Sequence, residues 1–407
     1  MDGETMKALG LIVEYNPFHN GHLYHLKQSL KQSQAEVVVV VMSGHFTQRG
    51  EPTILDKWTR TKLALEHGAD LVIELPYIYS CQHAELFAKG AISILTHLQV
   101  NALIFGSESG SISELIGLEN LIRLPEFQQK LKTYIKTGLS LPKAQALALI
   151  DFQQKSEVIT APNNTLGLYY IKAIRELNSP ITAQTLTRIH SDYRDITPTH
   201  HQIGSATSIR RLREKQLDFA SYVPDNVQHY LSRHFQEVKT FHTWENYFPF
   251  LKQSVLTLTP NQLRHIHDME EGLEHRFYSA ALKSLTFFEF IEIVKTKRYT
   301  RTRIQRICTH ILTYTLKQQM KDFELHKQAP YIRLLGFSTK GKQYLKKIKK
   351  EIAVPIYSKF EAKGHPLLKH EQKVTAAYSA ILPEPHCTNL NVAEFSNNPI
   401  QFEKANH

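Results

Sequence analysis

Over the first 110 positions apolar residues come in short runs, each followed by a polar loop and then by a stretch with helical spacing. ALGLIVEY (8–15), VVVVVM (37–42), DLVIELP (70–76) and ALIFGSE (102–108) have the length and β-branched content of strands covered on both faces. Between them LYHLKQSLKQSQ (23–34), DKWTRTKLALEHGA (56–69) and HAELFAKGAISILTHL (83–98) predict helices. Such alternation predicts a parallel α/β sheet with right-handed crossovers. Ligands gather at the carboxyl ends of such strands, which puts the loops at 15–22, 43–53 and 106–110 on one edge.

The pattern then changes. Residues 112–178 read as mainly helical and include the turn-rich TAPNNTLG (160–167). TLTRIH (185–190) reads as extended, SDYRDITPTHHQIG (191–204) as a long loop, and SATSIRRLREK (205–215) as a helix with a hydroxyl-rich start. Beyond about 224 the alternation is gone, and helical candidates such as TRIQRICTHILTYTL and KQYLKKIKK dominate. The expectation is an α/β domain over 6–234 and a mostly helical domain over 235–407. Residues 1–5 read as a short leader before Met6, without the basic-then-apolar order of a secretion signal. No apolar run is long enough for a membrane helix. Cys81, Cys308 and Cys387 are scattered, with neither disulfide nor metal spacing, which fits a cytoplasmic protein.

Chemistry concentrates in GLIVEYNPFHNGHLYHLKQSL (10–30). His19 and His22 flank Gly21 where a strand passes into a helix. A helix starting near Gly21 or His22 turns its free N–H groups into the loop, a place suited to phosphate. Imidazoles there can hydrogen-bond phosphoryl oxygens and stabilise charge growing in a transition state. Gly21 allows close approach to the backbone, Asn20 adds polar contacts, and Pro17 stiffens the turn. Zinc binding and a purely structural histidine pair remain alternatives, although no third metal ligand is nearby. No metal site is assigned.

Two further features carry charge. SGHFTQRGEPT (43–53) sets Gln48, Arg49 and Glu51 among glycines at a strand end, with Lys57 and Arg60 beyond. It is either a phosphate or RNA contact or a solvated loop latched by Arg49 and Glu51. The net charge of +11 makes a polyanion a plausible partner. KTKRYTRTRIQR gathers Lys295, Lys297, Arg298, Arg301, Arg303 and Arg306 around Tyr299, a pattern for phosphate contacts with one ring to stack on a base. KKIKK (346–350) reads as a solvated face.

HNGH after an apolar strand resembles the signature of the HxGH nucleotidyltransferase superfamily, and SATSIRR (205–211) resembles its second, phosphate-contacting element. VEYNPFHNGHLYHL, SGHFTQRGEP, GAD, FGSE, PNNTLG, SATSIR and KTKRYTRTRIQR together are similar to the tRNA(Met) cytidine acetate ligase family. At His45 that family usually has asparagine. The resemblance implies a Rossmann-like catalytic domain followed by a helical tRNA-binding one. It implies activation of acetate with ATP, aided by Mg2+, to acetyl-adenylate, and acetyl transfer to the N4 amine of the wobble cytidine in elongator tRNA(Met). No protein acyl-enzyme is needed, so no catalytic cysteine is assigned. By the same resemblance the segment Ile12, Val13, Glu14, Tyr15, Asn16, Pro17, Phe18, His19, Asn20, Gly21, His22, Leu23, Tyr24 and His25 wraps the nucleotide. Gly106, Asn163 or Asn164, and Arg188 also contact ATP, and Ser205, Thr207, Ser208 and Arg210 reach its phosphates. Two alternatives stay open: a small-molecule adenylyltransferase and a non-catalytic RNA-binding protein.

Overall fold

The computed structural model describes residues 6–188, 203–324, 327–361 and 363–403. Its centre is β2 (Val37–Ser43), whose side chains alternate between two cores. Val37, Val39 and Val41 enter one apolar cluster, and Val38, Val40 and Met42 enter the other. With neither face in water, the strand opens with five consecutive valines instead of alternating with polar residues. β1 (Ala8–Val13) runs parallel to it in the register Ala8↔Val37 to Val13↔Met42. β3 (Leu71–Leu75), β4 (Ala102–Ser107) and β5 (Thr182–Thr187) extend the parallel set in the order β5-β4-β1-β2-β3. α1 (Asn20–Ser33) links β1 to β2, and α2 (Lys57–Glu66) links β2 to β3.

Beyond residue 235 the chain is mostly helical, but it returns to the sheet. β6 (Ile332–Ser338) pairs antiparallel with β3, while β7 (Ile356–Tyr357) and β8 (Ile400–Phe402) run parallel to β6. Among the described residues the sheet is therefore mixed and eight-stranded. The division expected at residue 235 does not follow it, because residues 332–402 complete a sheet begun at Ala8. IRLLGFS is too short an apolar run for periodicity to separate strand from helix. The last two strands have only two and three residues. β5 starts before the extended stretch expected at 185–190, and residues 189–202 lie outside the described residues.

A buried ion cluster ties the returning segment down. Lys57 Nζ, fully buried, sits 2.7 Å from Glu74 and 2.7 Å from Glu394 of the helix His386–Ser396. Arg60, also fully buried, donates to the carbonyls of Glu14 (2.8 Å), Ser43 (2.9 Å) and Leu55 (3.0 Å). Neither side chain extends the charge of the 43–53 loop toward a ligand, contrary to expectation. Both satisfy groups that burial would otherwise leave unpaired. No helix among the described residues is long and apolar enough to cross a membrane.

Candidate active site

At the carboxyl edge of the sheet the chain leaves β1, turns through 14–18 and enters α1, with His19 as the N-cap. Its Nδ1 accepts the Gly21 N–H at 3.0 Å. That commits Nδ1 as an acceptor, so the neutral ring carries its proton on Nε2 as a donor. His22, one turn on, stacks against it with centroids 3.7 Å apart, and its Nδ1 is buried without a hydrogen-bond partner. The turn is tight: a Cβ on Gly21 would lie 2.8 Å from the His19 ring.

Both histidines line a cavity of ≈ 270 Å³. Burial, with the guanidinium groups of Arg188 and Arg210, pushes His19 down to about 3. Burial, then His19, Arg188 and His25, holds His22 well below the ordinary range, and burial with Arg188 pushes His25 down to about 4. All three imidazoles are thus neutral near pH 7. The cavity's positive charge comes from Arg49, Arg188 and Arg210.

The second edge of the cavity is the start of the helix Ala206–Glu214, capped by Ser205, whose Oγ accepts the Ser208 N–H at 3.1 Å. Arg210 stitches the parts together. It donates to the Asn16 carbonyl at 2.8 Å and to Glu51 at 2.5 Å, so Glu51 is latched to Arg210 and not to Arg49 as the loop alternative expects. The 43–53 loop is also held from the helical region. The Gly50 carbonyl accepts from Trp244 (3.1 Å) and Thr309 (3.0 Å), and the Thr53 carbonyl accepts from Tyr378 (2.8 Å). Gly50 has φ +72°, and a Cβ there would meet the Arg306 backbone nitrogen at 2.6 Å. Gly50→Ala is therefore expected to cost on the order of 2–4 kcal/mol. Urea denaturation checks this, and unchanged stability would reject it.

Most of the residues singled out in the sequence meet here. Ile12, Val13, Glu14, Tyr15 and Asn16 line the cavity beside His19, Gly21, His22, Tyr24 and His25. Gln48, Arg49 and Glu51 reach it from the second loop. Gly106, Asn163, Arg188, Ser205, Thr207 and Arg210 close it. Others do not line it. Phe18 is fully buried, 4.4 Å from the His67 ring, and Pro17 is buried behind the turn. Leu23 packs on the apolar cluster, and Asn20 donates to the Ser221 carbonyl at 3.0 Å. Asn164 is buried and accepts from the N–H groups of Glu108 (2.9 Å) and Ser109 (3.1 Å), leaving Asn163 as the asparagine on the cavity. Ser208 is buried against Ser205.

An apolar wall was not foreseen: Phe87, Phe105, Leu166, Tyr170 and Leu186. A signal existed, since Asn163, Leu166 and Tyr170 fall at i, i+3 and i+7 on the helix Pro162–Glu176 and must share a face. His45, where the family pattern has asparagine, is buried and stacks on Tyr378 at 4.3 Å, so its place is in packing. Burial pushes the Cys81 thiol up to about 12, which removes it as a nucleophile.

The basic segment divides. Lys295, Lys297, Arg298 and Arg301 are exposed. Arg298 lies 3.2 Å from Glu270 and Arg301 3.5 Å from Glu292. Arg303 is half-buried, 2.7 Å from Glu270, and Arg306 is buried, 3.6 Å from Asp268. Tyr299 is buried with its hydroxyl on Glu270 at 2.8 Å. Stacking on a base is therefore corrected for Tyr299, as is a backbone contact for Arg306. Each serves the packing around the helix Arg301–Leu312.

No group of three or more potential metal ligands occurs among the described residues. Within the cavity Glu51 is held by Arg210, and Glu14 accepts the Gln48 N–H at 2.8 Å. The donor set does not fit a resident metal.

The profile of the family described as HIGH Nucleotidyl Transferase matches residues 6–392. The tRNA(Met) cytidine acetate ligase of Anoxybacillus flavithermus is 44% identical over 401 residues, spanning 97% of this chain and 100% of that protein. The tRNA(Met) cytidine acetate ligase of Bacillus subtilis is 42% identical over 407 residues, spanning 98% of each. The crystal structure of Thermotoga maritima TmcAL in its apo form superposes with a TM-score of 0.90 at 31% identity, covering 98% of this chain and 100% of that one. TmcAL bound with alpha-thio ATP gives 0.87 at 32% identity, with the same coverage. This chain therefore belongs to the tRNA(Met) cytidine acetate ligase family of HIGH nucleotidyl transferases.

Proposed function

We propose that the protein uses ATP and acetate to acetylate the N4 amine of the wobble cytidine of elongator tRNA(Met), through acetyl-adenylate. The observation that supports this most is the meeting of a stacked, neutral histidine pair with Arg188 and Arg210 around one cavity. It occurs in a chain that matches acetate ligases over nearly its whole length. The likeness to a structure bound with alpha-thio ATP supports ATP as the co-substrate.

In the first step an acetate oxygen attacks the α-phosphorus of MgATP, and the bond to the β-phosphoryl group breaks to release pyrophosphate. The ion, as part of the substrate, offsets phosphate charge. His19 donates from Nε2, His22 lies beside it, and Arg188 and Arg210 supply fixed charge to the phosphates. Neutral donors suit this task, since they stabilise growing negative charge without exchanging a proton. In the second step the cytidine amine attacks the acetyl carbon and AMP leaves. The aromatic wall keeps water from the mixed anhydride meanwhile.

Exposed Lys295, Lys297, Arg298 and Arg301 face the tRNA backbone in this reading. Neutralising Arg298 and Arg301 together should weaken tRNA binding and reduce the slope of log K against log salt by about 1–2, and an unchanged slope would remove these contacts.

The decisive assay mixes protein, ATP, Mg2+, labelled acetate and total bacterial tRNA, then digests the RNA and looks for acetylated cytidine. An adenylated product formed without RNA would favour the small-molecule adenylyltransferase. RNA binding without ATP use would favour the non-catalytic alternative.

A further inference from the structure

Acyl transfer from acetyl-adenylate to an amine needs a group that accepts a proton from the nitrogen, and among the described residues the cavity offers few. His19, His22 and His25 are buried beside guanidinium groups that oppose a second positive charge. Glu51 is committed to Arg210 at 2.5 Å. Tyr15 and Tyr170 are buried phenols, which hold their protons.

Glu14 differs from all of these. It follows directly on β1, at the carboxyl edge of the sheet, and is one of the residues lining the cavity. One oxygen, Oε1, is anchored by the Gln48 N–H at 2.8 Å, which fixes the carboxylate on the strand end. Among the described residues Oε2 has no hydrogen-bond partner. Its anchor is a donor, and Arg49 and Arg210 act on it from nearby, so the ionised form is favoured locally. Burial acts more strongly in the other direction and raises its proton affinity above that of an ordinary glutamate. A carboxylate that is fixed, open on one oxygen and more basic than usual matches what a proton acceptor at neutral pH requires.

We propose that Glu14 is the general base of the transfer step, taking the N4 proton on Oε2. This rests on the acetyl-adenylate reading above. The amine lone pair forms the C–N bond to the acetyl carbon while the carbonyl π electrons move to oxygen. The carbon–oxygen bond to the phosphate then breaks, AMP leaves with that electron pair, and one N–H proton passes to Glu14. The product keeps its remaining N–H, and Glu14 returns its proton to solvent. The first step needs no proton acceptor, since acetate brings its own ionised nucleophilic oxygen. The demand for a base therefore separates the two half-reactions, and any effect of Glu14 on nucleotide binding is shared by both and drops out of their ratio.

Glu14→Gln keeps the shape and the acceptor for Gln48 but cannot take a proton. Two rates are compared: acetate-dependent exchange of pyrophosphate into ATP, and acetyl transfer to tRNA from synthetic acetyl-adenylate. The ratio of transfer to exchange should fall about a hundredfold in the variant. Transfer by the unaltered protein should rise with pH along an acidic limb that the variant lacks. Glu14→Asp should keep that limb at a reduced rate. A ratio equal to that of the unaltered protein, or the same limb in Glu14→Gln, would overturn the assignment. Absence of acetate-dependent exchange in the unaltered protein would overturn the acetyl-adenylate reading itself, and the base with it.

Discussion

Acetylation by the His22→Ala protein is expected to fall by about 10²–10³-fold, with tRNA affinity intact. His22 sits in the first turn of α1, where alanine is a good helix former, so the helix should survive the change. Its ring stacks on His19 at 3.7 Å and meets Tyr15 edge-on at 4.9 Å, contacts that aim it at the cavity. Without it a fixed donor is missing where charge develops on the phosphoryl oxygens. The basic segment 295–301 lies on a separate helical part of the chain, which is why tRNA binding should not follow. His22→Gln, which restores an N–H of similar reach, should recover part of the rate. Single-turnover acetylation alongside tRNA filter binding tests this. Turnover within about tenfold of the unaltered protein would exclude His22 from transition-state stabilisation.

The part of the site that sequence could show was the part built from local signals. HNGH is legible because its glycine, its position after an apolar run and its helix start all lie within a few residues. Gly106 and Arg210 came through the family resemblance, Gly106 beside the end of β4 and Arg210 at the middle of the helix Ala206–Glu214. The residues misread depend on partners that are distant in the chain. Lys57 and Arg60 read as surface charge, yet each is buried, and one of the two carboxylates 2.7 Å from Lys57 is Glu394 in the returning C-terminal segment. Tyr299 looked like a stacking ring because basic residues surround it. In the fold Thr300 caps the next helix through the Arg303 N–H, and Tyr299 is turned inward onto Glu270. Of the two neighbouring asparagines, only the fold shows that Asn164 braces the turn after β4 and Asn163 reaches the cavity. The mixed character of the sheet stayed hidden because β6 joins an edge that the first five strands leave open, and nothing local in IRLLGFS marks that destination.

Mild acid should destabilise this protein well before ordinary carboxylates titrate. His19 and His370 are buried and neutral, with proton affinities lowered to about 3 and about 4 by burial, aided by Arg188 and Arg210 in one case and Lys373 in the other. His22, His242 and His310 are also held well below the ordinary range, chiefly by burial. In the unfolded chain a histidine titrates near 6.5. Below that pH the unfolded state takes up protons that the folded state refuses, so stability is complete above about 6.5 and falls as pH drops toward the folded values. At about 1.4 kcal/mol per pH unit, His19 and His370 each remove about 2 kcal/mol by pH 5. Two such groups alone consume a large share of the roughly 5–15 kcal/mol that holds a typical domain together. Glu14 and Glu371 work in the opposite sense, since burial raises their proton affinity and acid relieves that cost, but they are outnumbered. Asp268 and Glu394, both held low by neighbouring cations, add losses only further down. Urea midpoints measured from pH 8 to pH 5 should be flat above 7 and then decline steeply. A His370→Gln variant should decline less, because its amide cannot take up a proton in the unfolded chain. A midpoint that holds steady to about pH 4.5 would show that these imidazoles are not neutral in the fold, and would remove the basis for treating His19 and His22 as uncharged donors.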